Sequence, residues 1–174
     1  KVVKDIVDAV AYMKKNHQID ADRIYLIGVS GGGHASLLMA GKAPDIWAGV
    51  SAWVPISDIQ VWWKQKRTGS HPKYADHIEK SVGGRPDEVE SATRECAKRS
   101  PLTYLDKAVE VNLDINAGVT DGHAGGSVPF THSLHAFNRV AAKKDRIPGG
   151  FIDAFYRKQA LPADSEKPER DSLY

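Results

Sequence analysis

The sequence predicts an α/β fold, a three-layer sandwich built around a mostly parallel sheet. Three observations carry that expectation. A helical apolar stripe over 1–17 gives way to a short apolar run at 24–29. Glycines at 31, 32 and 33 separate that run from a second helical stretch, and another β-rich run follows at 47–54 before Pro55. Helix, strand, glycine turn, helix, strand is the order in which helical crossovers join parallel strands. At 174 residues, the chain 1–174 reads as a single domain, close to the usual size of roughly 150.

The elements follow in order. Val3, Ile6, Val7, Val10 and Met13 recur at steps of three and four, with Lys and Asp between them, which is one stripe on a helix. The polar stretch Asp20 to Arg23 ends it. Ile24 to Val29 is a short run of strand formers and reads as a buried strand. Ala35 to Lys42 reads as a helix, and Trp47 to Val54 as a second strand. Residues 56–100 are a less regular insertion after the second strand, with Trp62 and Trp63 close to Trp53, a loop rich in Gly, Pro, Ser and His over 67–86, and a charged helix over 87–98. A third strand is expected over 109–117 and a helix from Phe130 to Lys143. The stretch 145–174 reads as a polar extension with no strand after Phe155.

Composition excludes several classes of function. No apolar run approaches the roughly 18 residues of a membrane span. Lys plus Arg number 24 against 22 Asp plus Glu, a net charge of +2 that does not suit a nucleic-acid binder. The single cysteine, Cys96, can form no internal disulfide and supports no cysteine-based zinc site. No metal or other cofactor is called for.

Gly28-Val29-Ser30-Gly31-Gly32 fits the G-x-S-x-G pattern of a nucleophile elbow, and it lies directly after a strand and before a helix, as that turn requires. So sharp a turn leaves no room for bulk beside the serine, which accounts for Gly28 and Gly32. It also pushes the Ser30 hydroxyl beyond the strand's carboxyl end. The N–H of Gly31 opens the following helix and points to where an oxyanion would develop. A phosphate-cradling loop is the weaker reading, because the Lys-Ser/Thr end of that motif is missing.

Residues 22–58, from Asp-Arg-Ile-Tyr-Leu-Ile-Gly-Val-Ser-Gly-Gly-Gly-His to Pro-Ile-Ser-Asp, resemble the α/β-hydrolase superfamily. More narrowly they are similar to the catalytic domain of the prolyl oligopeptidase (S9) family and related esterases. Ser100-Pro101-Leu102-Thr103-Tyr104-Leu105 resembles the segment before the acid-bearing strand of that family, and Gly118-Val119-Thr120-Asp121 with Val128-Pro129 resembles its acid loop. The resemblance covers roughly 1–143 and implies an α/β-hydrolase fold incomplete at both ends. It also implies a serine hydrolase with Ser30 as nucleophile, Gly31 as oxyanion donor and Asp121 as triad acid, acting on a small ester or peptide. Serine before acid is the chain order of this fold. The segment His123 to Ser127 is longer than the family's usual spacer.

The base is harder to place, because it must follow the acid. His123 is two residues from Asp121, and His132 and His135 lie on the helix after Pro129. The expectation is an internal piece of a longer hydrolase whose histidine lies beyond Tyr174. The alternative is a catalytically inactive binding or interaction domain of the same fold.

The remaining candidates are weighed one by one. Trp62 and Trp63 could line a substrate pocket, with packing of a small helical subdomain as the other reading. His34 reads as a hydrogen-bonded packing position, and His132 and His135 as helix-surface residues rather than metal ligands. Asp58 reads as a helix cap and the Lys64–Arg67 cluster as a solvated face. Cys96 has no histidine partner and no catalytic role. Asp114 is the fallback should Asp121 not be the acid.

Overall fold

The computed structural model describes residues 1–123 and 126–160; residues 161–174 of the expected extension lie outside the described residues. In chain order the elements are α1 (Val2–Asn16), β1 (Tyr25–Val29), α2 (Gly31–Lys42), β2 (Gly49–Trp53), α3 (Ile59–Thr68), α4 (Lys73–Val82), α5 (Glu90–Arg99), β3 (Leu113–Asn116), α6 (Thr131–Val140) and α7 (Gly149–Lys158). The strands are all parallel, in the order β1-β2-β3, with Tyr25 opposite Gly49 and Val50 opposite Leu113. This is the α/β architecture that the alternation of elements predicts.

The pleat sends alternate side chains to opposite faces of the sheet. Leu26, Val50, Ala52, Leu113 and Ile115 face α2 and α6, where Leu37, Met39, Ala40, Leu105 and Ala136 complete a closed core. The α1 stripe, Val3, Ile6, Val7 and Val10, packs at its margin. The other face differs from expectation. Tyr25, Ile27 and Val29 are 64%, 72% and 63% exposed, so β1 is not the buried strand its composition suggests, and within this sheet it is an edge. Both of its faces are apolar, but no helix covers the second among the described residues, which supply two of the three expected layers. On that bare face Ser51 Oγ donates to the Asp114 carboxylate at 2.7 Å and Asn116 Nδ2 donates to the same oxygen at 2.6 Å.

The insertion is a three-helix cluster with its own small core of Trp63, Ala75, Ile78, Val82, Ala92 and Cys96. Here α4 replaces half of the loop expected over 67–86. Ala75, Ile78 and Val82 keep helical spacing, but Gly69, Pro72, Gly83 and Gly84 around them mask it as turn chemistry. Asp58 caps α3, its carboxylate accepting from the Val61 N–H at 3.0 Å, as expected of a residue at that junction. β3 is shorter than the run over 109–117, because the chain turns until Asn112. The expected polar extension begins instead with α7, whose Ile152 is fully buried and whose Phe155 ring lies 4.9 Å from that of Phe130.

Candidate active site

Ser30 sits at the junction of β1 and α2 with φ 55° and ψ −115°. A side chain at positive φ clashes with its own backbone, so this conformation is strained for any residue but glycine. Two hydrogen bonds hold it there. The Ser30 N–H donates to the Trp53 carbonyl at 2.8 Å, extending the β1–β2 ladder by one residue, and the Ser30 carbonyl accepts from the His34 N–H at 2.8 Å as the first turn of α2 closes. Val54, at the same edge of the sheet, is a β-branched residue at φ 45°. Strain therefore concentrates where the strands end, and the Ser30 side chain is exposed there.

The glycines divide differently from the sequence reading. A Cβ on Gly28 would lie 2.6 Å from Ser36 Oγ and closer still to the Gly32 carbonyl. One on Gly33 would lie 2.6 Å from the Trp53 carbonyl oxygen. At Gly31 and Gly32 a Cβ meets nothing within 4 Å. Gly28 and Gly33 are thus the packing glycines, and Gly32 is not needed for room. As the first residues of α2, Gly31 and Gly32 have N–H groups with no intrahelical acceptor. They carry the positive end of the helix dipole beside Ser30.

Asp121 lies in the loop after β3, at the same carboxyl edge. Val29, Trp53 and Asn116 stand in one row across the sheet, so the ends of β1 and β3 are two strand spacings, roughly 10 Å, apart. One Asp121 carboxylate oxygen, Oδ2, accepts from the Gly118 N–H at 2.7 Å. The Asp121 carbonyl accepts from the Phe130 N–H at 3.2 Å, which closes the base of the loop. Gly122 holds φ 85°, and a Cβ there would lie 2.8 Å from Pro129 N. Asp114, the fallback acid, is held by Ser51 and Asn116 on the bare face of the sheet.

The histidines go elsewhere. His34 Nδ1–H donates to the Ile56 carbonyl at 2.8 Å, and burial pushes its pKa down; it is the hydrogen-bonded packing residue expected. His132 is not on the helix surface. Its Nε2–H donates to Gln65 Oε1 at 3.0 Å, and its Nδ1 faces the Ser57 N–H at 3.3 Å. Burial, reinforced by His135, His34 and Lys66, lowers its pKa to about 3. This neutral imidazole ties α3, α6 and the loop after β2 together. His135 is exposed, as read from sequence. The His123 ring lies 4.2 Å from that of Tyr156. Among the described residues no hydrogen bond joins an imidazole to Ser30 Oγ or to the Asp121 carboxylate.

The two insertion tryptophans separate. Trp63 is buried in the helical cluster and donates to Glu79 Oε1 at 2.9 Å. Trp62 is half-buried, packs on Tyr74 with ring centroids 5.2 Å apart, and donates from Nε1 to the Ser127 carbonyl at 2.9 Å. Lys66 is buried, unlike the solvated face expected of its cluster, and burial lowers its pKa. Cys96 is buried with its thiol pKa pushed up by that burial, the opposite of an activated thiol. The roles of Gln65, Ser57, Ser127 and Tyr156 carry no sequence signal, since each depends on a partner at least 34 residues away.

The model of the prolyl oligopeptidase family matches residues 1–147, a span that includes both Ser30 and Asp121. A search among curated proteins finds no match.

Proposed function

The chain belongs to the prolyl oligopeptidase family, and from that premise we propose that it carries the nucleophile and the acid of a serine hydrolase working by acyl transfer. One observation carries the reading. Ser30 is held at φ 55°, ψ −115° between a parallel strand and a helix N-terminus, with its side chain exposed. Strain of about 1–3 kcal/mol at one residue needs a compensating use, and presenting a hydroxyl to a carbonyl carbon beside free N–H groups is such a use. Ser30 Oγ attacks an ester or peptide carbonyl and loses its proton to a base. The tetrahedral oxyanion is met by the Gly31 N–H, the leaving group departs, and water then releases the acyl group.

Asp121 would orient the base and stabilise the imidazolium as it forms. Its Oδ1 accepts no hydrogen bond among the described residues, while Oδ2 is fixed by Gly118. His34 and His132 are committed to other partners, His123 is stacked on Tyr156 and His135 is exposed on α6, so this reading requires a further imidazole as the base. Of the two insertion tryptophans, Trp62, bonded to the loop that carries Asp121, keeps exposed surface for substrate, and Trp63 is packed away.

The test is a fluorophosphonate probe on the full-length protein, read by mass spectrometry. Labelling of Ser30 that disappears in S30A supports the reading. A folded protein that stays unlabelled is a non-catalytic binding domain of the same fold.

A further inference from the structure

We infer that Trp62 is a positioning residue for the acid loop: its indole N–H holds the Ser127 carbonyl and through it sets the aim of Asp121. This deepens the proposed function and rests on Asp121 being the acid. The contact joins two parts of the chain 65 residues apart, at 2.9 Å.

The donor is mounted on a rigid frame. Tyr74 packs against the Trp62 ring. At its start α3 is bonded to Ser100, whose Oγ accepts from the Ile59 N–H at 2.9 Å. Further along, Gln65 is tied to the buried His132 on α6. A side chain locked by packing and carried on a bolted helix fixes its partner within a narrow range.

The acceptor sits where a constraint reaches the carboxylate. Ser127 follows Gly126, whose N–H donates to the His123 carbonyl at 2.6 Å. A Cβ on Gly126 would lie 2.7 Å from Gly122 N and 3.5 Å from the Asp121 carbonyl carbon, so the two arms of the loop run backbone against backbone. From the α7 side, Tyr156 Oη donates to the Gly122 carbonyl at 3.1 Å. Two aromatic donors, from α3 and from α7, thus hold the loop that carries Asp121. Trp62 has spent its only polar group on that loop, which leaves ring surface alone for substrate.

The experiment uses the full-length protein with p-nitrophenyl acetate as probe substrate. Four proteins are compared: S30A, D121N, W62F, and a variant with 3-benzothienylalanine at position 62, which keeps the Trp shape and lacks the N–H. Loss of the donor should lower kcat about tenfold, the scale of a small misplacement of a catalytic group, with KM within about twofold. It should also move the acid limb of kcat/KM to lower pH by a few tenths, because a carboxylate aimed less well raises the imidazole pKa less. The benzothienyl variant gives the same result without a packing change, so a poorly folded W62F leaves the test intact. A rise in KM with kcat and the pH limb unmoved overturns the inference in favour of a substrate-lining role, and no change in any parameter overturns it outright. Full turnover by S30A, or D121N with an unmoved acid limb, removes the triad reading and this inference with it.

Discussion

Gly28 lies directly beneath the carbonyl of Gly32, so close that a methyl group at 28 would overlap it and also sit 2.6 Å from Ser36 Oγ. The strand enters and the helix leaves through the same narrow space, and the sharpness of the turn at Ser30 follows from that contact.

G28A should therefore destabilise the full-length protein by about 3 kcal/mol or more, since the clash is with backbone that cannot move aside. G32A should fold as well as the parent or gain up to about 1 kcal/mol, as alanine is the better helix former and meets nothing there. Urea unfolding of the two variants checks this, and equal losses would mean that Gly32 is packed after all.

Removing the Ser30 hydroxyl should abolish fluorophosphonate labelling and lower turnover by about 10⁶. The backbone strain makes a second, separable prediction. S30G should be more stable than S30A by about 1 kcal/mol, because only glycine accepts φ 55° without cost. Both variants should be inactive, and differential scanning calorimetry ranks them.

His132 should make the fold sensitive to acid. Its folded pKa is about 3 against an ordinary 6.5, so between those values the unfolded chain takes up a proton that the folded protein refuses. Stability attributable to this group is complete above pH 6.5 and is lost as pH falls toward 3, at about 1.4 kcal/mol per pH unit. Urea unfolding midpoints at pH 7, 6 and 5 should fall in the parent and fall less in H132Q. His135, His34 and Lys66 around it all disfavour the added charge.

W63A should cost about 3–5 kcal/mol, the penalty for emptying a buried aromatic site, and it leaves Glu79 with Arg67, 4.0 Å away, in place of the indole donor. The rate of Ser30 labelling per folded molecule should stay at the parent value. A fall in that rate at full stability would return Trp63 to the substrate pocket.

Periodicity and turn chemistry made much of this protein legible in one dimension. The α1 stripe, the Ile24–Val29 run, the glycine turn and the order Ser30 before Asp121 are local or ordinal features, and the α/β class and the place of Ser30 between a strand and a helix follow from them. Helix α4 was hidden, because three apolar residues between clusters of Gly and Pro look like turn material until Trp63 and Cys96 supply the surface they pack on. His132 was hidden for the same kind of reason: its burial is set by Ser57 and Gln65, 75 and 67 residues away.

Sequence alone thus determined which residues turn, which alternate and in what order the chemical groups arrive, since those properties depend on neighbours within a few positions. Tertiary structure alone decided which glycines are needed for room, which tryptophan is core and which touches the loop after β3, and which histidines are already engaged. Each of those depends on what another segment brings within about 4 Å, and no local pattern encodes that distance.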